Sequence, residues 1–80
     1  MREPQLLLVT SADCHLCSHG RKVLKALQLE VREVDVATAE AQQLAARGIP
    51  LAFLPVLWDG ERVLGYGRLS AHALQRKLTT

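Results

Sequence analysis

The chain has 80 residues, 49% of them hydrophobic, with a formal net charge of +2 and two cysteines. That length and apolar content suit one small domain spanning residues 1–80 and exclude a disordered chain. The basic residues are scattered, without a basic run or interleaved aromatics, which excludes a nucleic-acid footprint, and no stretch approaches the ~20 apolar residues needed to span a bilayer.

The opening "MREPQLLLV" carries charge and an apolar patch but neither a long apolar segment nor a small-residue cleavage site, so the expected location is the cytoplasm. In chain order, "QLLLV" (5–9) is a continuous apolar run that predicts a strand buried on both faces. After the polar "TSAD", Leu16, Gly20, Val23, Leu24 and Leu27 fall on one stripe of a helix, with Ser18, Arg21, Lys22 and Lys25 opposite. Gly20 in that stripe costs roughly 1 kcal/mol of helix propensity against alanine, which is tolerable where a helix backbone packs closely on a sheet. "LEVREVDV" (29–36) places Val34 and Val36 on one face and Val31 on the other, and predicts a second strand. A second helix follows, with Ala37, Ala41, Leu44 and Ala45 on its apolar face, Thr38 as N-cap and Gly48 at C′. "PVLWDGERVLGY" (55–66) predicts strand, turn and strand about Asp59-Gly60. The last helix starts after Ser70, with Ala71, Leu74 and Leu78 on one face. The order β-α-β-α-β-β-α predicts an α/β fold, a four-stranded mixed sheet with three helices. Its first two strands run parallel through a right-handed crossover and its last two form a hairpin.

Both cysteines lie in "SADCHLCSHG" (11–20), where the first helix begins. A C-x-x-C alone fits redox chemistry, half of a metal site, or an inert pair, and in a reducing compartment catalysis or metal binding is commoner than stapling. The helix start favours redox chemistry. Unpaired N–H groups and the positive end of the helix stabilise a thiolate at Cys14 and bring its pKa below the ~8.5 of a free thiol. Cys17, one turn on, is placed to attack a mixed disulfide at Cys14 and release the reduced partner. Cys14 is thus the candidate nucleophile and Cys17 the resolving residue. His15, when protonated, supports the thiolate, with a weaker field from His19 and Arg21. Asp13 either opposes it by like-charge repulsion or serves as a capping or first-turn acid. Cys14 and Cys17 could recruit His15 or His19, but zinc sites commonly use two separated ligand pairs and no second Cys-x-x-Cys is present, so no metal is expected.

The short strand, "DCHLC" opening a helix, and the downstream "LPVLWDG" resemble a small glutaredoxin-like protein of the thioredoxin superfamily over essentially the whole chain. The resemblance implies a thioredoxin-like fold and thiol-disulfide oxidoreductase activity without a resident cofactor. It also implies a proline beside the site that follows a cis peptide bond, preceded by a residue whose backbone pairs with an extended substrate. Here those are Pro55 and Leu54. Pro50 in "RGIP" competes, but would leave Pro55 in the middle of a central strand, where it removes a ladder hydrogen bond. Tyr66 lies between glycines in the loop that the resemblance puts near the site, and is either a substrate contact or a surface residue. Trp58, in the third strand, reads as core or rim packing in preference to a recognition residue.

Several positions depart from the family. Ser11 stands where glutathione-using members carry a basic residue, Phe53-Leu54 where they have Thr-Val, and Tyr66 splits their paired glycines. Each change removes part of the glutathione recognition set and argues against glutathione as the reductant. Asp13 replaces the tryptophan that precedes the first cysteine of ordinary thioredoxins. The expected function is therefore reduction or exchange of disulfides in a protein or small-molecule substrate by a monomeric enzyme. A separate reductase or thiol restores the dithiol, and neither nucleic acid nor membrane is a partner. The alternative is a metal-binding or adaptor module on the same scaffold, without redox turnover.

Overall fold

Leu7, Leu8 and Val9 are all buried, a requirement met by a strand covered on both faces, and Leu6–Thr10 forms that strand (β1) at the interior of the sheet. The structure, a computed structural model, describes residues 6–78; Gln5, the first residue of the predicted strand, lies outside them. The chain continues through helix α1 (His15–Ala26), strand β2 (Val31–Asp35) and helix α2 (Ala39–Ala46). Strands β3 (Val56–Trp58) and β4 (Val63–Tyr66) and helix α3 (Ala71–Leu78) complete it. This is the predicted element order. The sheet order is β2-β1-β3-β4, with β1 parallel to β2 (Leu6 opposite Val31, Thr10 opposite Asp35) and antiparallel to β3. The β3–β4 pair is an antiparallel hairpin, and the whole is a thioredoxin-like α/β arrangement.

The alternation of side chains along β1 and β3 divides the core in two. Leu8 and Leu57 point to one face, where they meet Leu24 of α1, Leu64, Leu69 and Leu74 of α3. Leu7, Val9 and Val56 point to the other, against Ala41 and Leu44 of α2. Val31 packs with the first cluster and Val34 and Val36 with the second, as the valine pattern predicts.

Three details differ from expectation. Ala37 and Ala45 are exposed, because Ala37 precedes the N-cap Thr38 and Ala45 points away from the sheet; only Ala41 and Leu44 bury the helix. Leu16 and Leu78 are also exposed, at the two ends of the α1 and α3 stripes. The second strand begins at Val31 and not at Leu29, because the Leu29 N–H is spent on closing α1, donating to the Leu24 carbonyl at 3.0 Å.

That closure is a Schellman motif, with Gln28 at C′ in the left-handed region (φ 57°) and its N–H on the Lys25 carbonyl. The end of α2 repeats it with Gly48 at C′ (φ 92°), Gly48 donating to Ala45 and Ile49 to Leu44. Two ion pairs tie the elements together. Arg21 of α1 donates through Nε and Nη2 to Glu33 of β2, which also accepts the Thr10 hydroxyl at 3.0 Å. Arg32 of β2 forks onto Glu40 of α2. The Arg21 guanidinium, and then the Thr10 hydroxyl, hold the Glu33 carboxyl below its ordinary range. Among the described residues no helix is long and apolar enough to cross a membrane.

Candidate active site at the start of the first helix

Beyond Thr10 the chain must turn sharply to lay α1 across the sheet, and Asp13 makes that turn in the left-handed region (φ 55°). Cys14 follows in extended conformation as the N-cap of α1, and its Sγ accepts the Cys17 N–H at 3.1 Å. A cap of this kind answers one of the unpaired donors at a helix start, a task usually given to the oxygen of Ser, Thr, Asp or Asn. The neutral thiol is a weak acceptor, whereas a thiolate in the same place would be a strong, charge-assisted one. Asp13 neither caps the helix nor lies in its first turn, so the capping role open to it in the sequence belongs to Cys14; the first turn of α1 contains no acid. Asp13 and His15 are both exposed on either side of Cys14.

Cys14 and Cys17 are joined in a disulfide with Cα atoms 5.1 Å apart. The two sulfurs are not equivalent. Cys14 is partly exposed, while Cys17 is completely buried. The buried position of Cys17 was not part of the predicted helical stripe, although it sits three residues before Gly20 on that same side. An open polar cleft of about 370 Å³ lies in front of Cys14, lined by Ser11, Asp13, Cys14, His15, Ser18 and Arg21. Arg21 is paired with Glu33, so its charge is largely met there and adds little field at Cys14.

The peptide bond between Leu54 and Pro55 is cis; the one between Ile49 and Pro50 is not. The Pro55 ring is buried against α1 at Gly20. A Cβ built on Gly20 would lie 3.0 Å from Pro55 Cγ and 3.1 Å from Leu69 Cδ1, so only glycine allows this approach. Pro55 is therefore held one helical turn beyond Cys17. Gly67, at φ 68°, donates its N–H to the carbonyls of both Phe53 (2.9 Å) and Pro55 (3.0 Å), fastening the loop after β4 onto the proline segment. Tyr66 reaches this neighbourhood through that fastening, and its ring lies 5.8 Å from that of Phe53. Leu54 is partly buried, and neither its N–H nor its C=O has a hydrogen-bond partner among the described residues.

Sequence reasoning missed three parts of this arrangement. Leu69 completes the wedge around Gly20, but nothing in its local pattern distinguishes it from any core leucine. His19, read as a weak positive field, instead donates from Nε2 to the Leu69 carbonyl at 3.1 Å and ties α1 to the segment leading into α3. Phe53 stands out in the sequence only as a departure from the glutaredoxin-like pattern, although an aromatic two places before the proline is itself a signal. Trp58 is partly buried beneath the Arg47 guanidinium, 5.4 Å from its ring, in keeping with a packing role. No group of three or more His, Cys, Asp or Glu side chains suited to a metal ion occurs among the described residues. No protein-family model matches the chain, and no curated protein matches it significantly.

Proposed function

We propose that this chain is a glutaredoxin-like thiol-disulfide oxidoreductase in which Cys14 is the exchanging sulfur and Cys17 the resolving one. The observation that carries this proposal is the asymmetry of the pair. Cys14 is open to solvent at a helix N-cap with an N–H aimed at its sulfur, and Cys17 is sealed beneath it. An incoming sulfur has access to Cys14 alone, and the thiolate left there on reduction inherits the N–H and the positive end of α1.

In the reductive direction the Cys14 thiolate attacks one sulfur of a substrate disulfide. The substrate S–S bond breaks, a mixed disulfide forms at Cys14, and the first substrate thiolate leaves and takes a proton. Cys17, deprotonated by solvent or by the departing thiolate, then attacks Cys14 Sγ. The mixed disulfide breaks, the Cys14–Cys17 disulfide forms and the second substrate thiol departs, so two electrons have moved to the substrate. A second thiol or dithiol donor returns the pair to its reduced state by the same exchange in reverse. The Leu54 backbone beside Pro55, unpaired among the described residues, supports a role for these two in holding an extended substrate chain.

The test has two parts. Equilibration against thiol/disulfide buffers, with free thiols counted by alkylation and mass, should give one two-electron transition between about −180 and −290 mV. Cys14→Ser should abolish reduction of a mixed disulfide, and Cys17→Ser should accumulate a covalent adduct at Cys14. Thiols that stay reduced at every poise, or stoichiometric zinc that blocks alkylation, would replace this proposal with the metal-binding or adaptor alternative.

A further inference from the structure

The large apolar side chains that remain exposed among the described residues are Leu16, Phe53, Tyr66 and Leu78. Leu78 is at the end of α3, but Leu16 stands between the two cysteines and Phe53 and Tyr66 flank the Pro55 segment. Phe53 is 59% and Tyr66 54% exposed, unusual for aromatic rings with so much apolar surface to bury. Their rings face each other at 5.8 Å, tilted by 48°, and this pairing is not a loose coincidence of two flexible segments. The Gly67 N–H, shared between the Phe53 and Pro55 carbonyls, locks the backbone of one ring to the backbone of the other. Leu54, whose backbone donor and acceptor have no partner among the described residues, lies between Phe53 and Pro55.

These features define what would cover the patch. A free N–H and C=O on one residue ask for another extended backbone, and a preformed pair of rings beside them asks for a bulky apolar side chain on that backbone. The polar cleft on the Ser11 side of Cys14 is poorly equipped for a small anionic disulfide, since its guanidinium, Arg21, is already bidentate with Glu33. We infer that Phe53 and Tyr66 are specificity-determining residues that select protein disulfides whose cysteine is neighboured by a bulky apolar residue. This inference rests on the oxidoreductase proposal above and names the substrate class of that site.

The experiment uses the pre-reduced full chain and the symmetric disulfides of two short peptides that differ only in carrying Phe or Gly beside the cysteine. The second-order rate of peptide thiol release is followed by alkylation and mass. The Phe peptide should react about tenfold faster than the Gly peptide, the size expected when one aromatic contact is made in the transition state. In Phe53→Ala and in Tyr66→Ala that preference should fall to within about threefold of unity, and Tyr66→Phe should restore it, since the ring and not the hydroxyl makes the contact. Both side chains are exposed, so these variants keep the core, and a preference that survived unchanged in both alanine variants would overturn the inference. Equal rates for the two peptides would overturn the inference and leave the oxidoreductase proposal standing. No exchange with either peptide would overturn both.

Discussion

The first two strand-helix units of this chain are near copies that differ in the atom that caps each helix. β1–α1 and β2–α2 run parallel, each helix starts at a residue that accepts the N–H three positions on, and each ends in a Schellman closure. In α2 the accepting atom is the Thr38 hydroxyl, which also donates to the Asp35 carbonyl, and Glu40 adds an acid to the first turn. In α1 the accepting atom is the Cys14 sulfur, and no acid accompanies it. The second helix has its positive end answered by fixed groups. The first leaves that end to a sulfur, so the same backbone device serves as scaffold in one unit and, under the proposed function, as a thiolate site in the other.

Exchanging the cap atoms tests this contrast most severely. Cys14→Ser should drop thiol-disulfide exchange to background while unfolding, measured under reducing conditions, within about 0.5 kcal/mol of the wild type, because serine is a preferred N-cap. A large loss of stability in Cys14→Ser would mean that the sulfur matters to the helix for reasons other than capping. The next effect in size comes from the helix backbone. Gly20→Ala should destabilise by about 1–3 kcal/mol despite its better helix propensity, because its Cβ meets the Pro55 ring at 3.0 Å, and exchange should slow with it. Denaturant unfolding that showed Gly20→Ala to be stabilising would remove Gly20 as the spacer between helix and proline.

Thr38→Ala should cost about 1 kcal/mol and lower Tm by roughly 4–8 °C, with the redox transition of the cysteine pair unmoved. A shift in that transition would show the two helix starts to be coupled. The ion pairs give a smaller contrast. Glu33 has a carboxyl held below its ordinary range in the fold, so its stabilisation is present above that range and is lost as pH falls through the lowered value. Glu33→Gln should flatten the acid limb of the stability profile, by less than about 1 kcal/mol because both partners are substantially exposed. Glu40→Gln should flatten it less, since Glu40 holds only Arg32 whereas Glu33 also receives Thr10. The smallest effect is at the helix ends. Gln28→Gly should raise stability by up to about 1 kcal/mol, relieving a left-handed residue that Gly48 already relieves in the other unit. Thermal unfolding decides the sign.

Much of this was legible in the chain because it depends on short-range rules. The apolar run of Leu6 to Val9, the valine alternation of the second strand, Thr38 and Gly48 at the two ends of α2, and Asp59-Gly60 in the hairpin each write their conformation locally. Asp59 accepts the N–H groups of Glu61 and Arg62 at 2.8 Å, as a turn aspartate does. The place of the C-x-x-C at a helix start was legible for the same reason, as was the choice of Pro55 over Pro50, which follows from where a strand can lack an N–H. The end of α1 was not, because Gln28 occupies a position whose usual marker is glycine.

The sequence by itself determined the element order, the two apolar faces of the sheet, and a cysteine pair set at a helix start. Only the tertiary structure decided which cysteine is sealed, that Pro55 rests on Gly20, that His19 binds the Leu69 carbonyl, and that Phe53 meets Tyr66. The physical reason is the distance along the chain over which each is specified. Periodicity and caps act within one or two turns, whereas burial of Cys17 and the pairing of the aromatic rings need segments that meet only when the sheet has formed and α1 and α3 have closed over the same face.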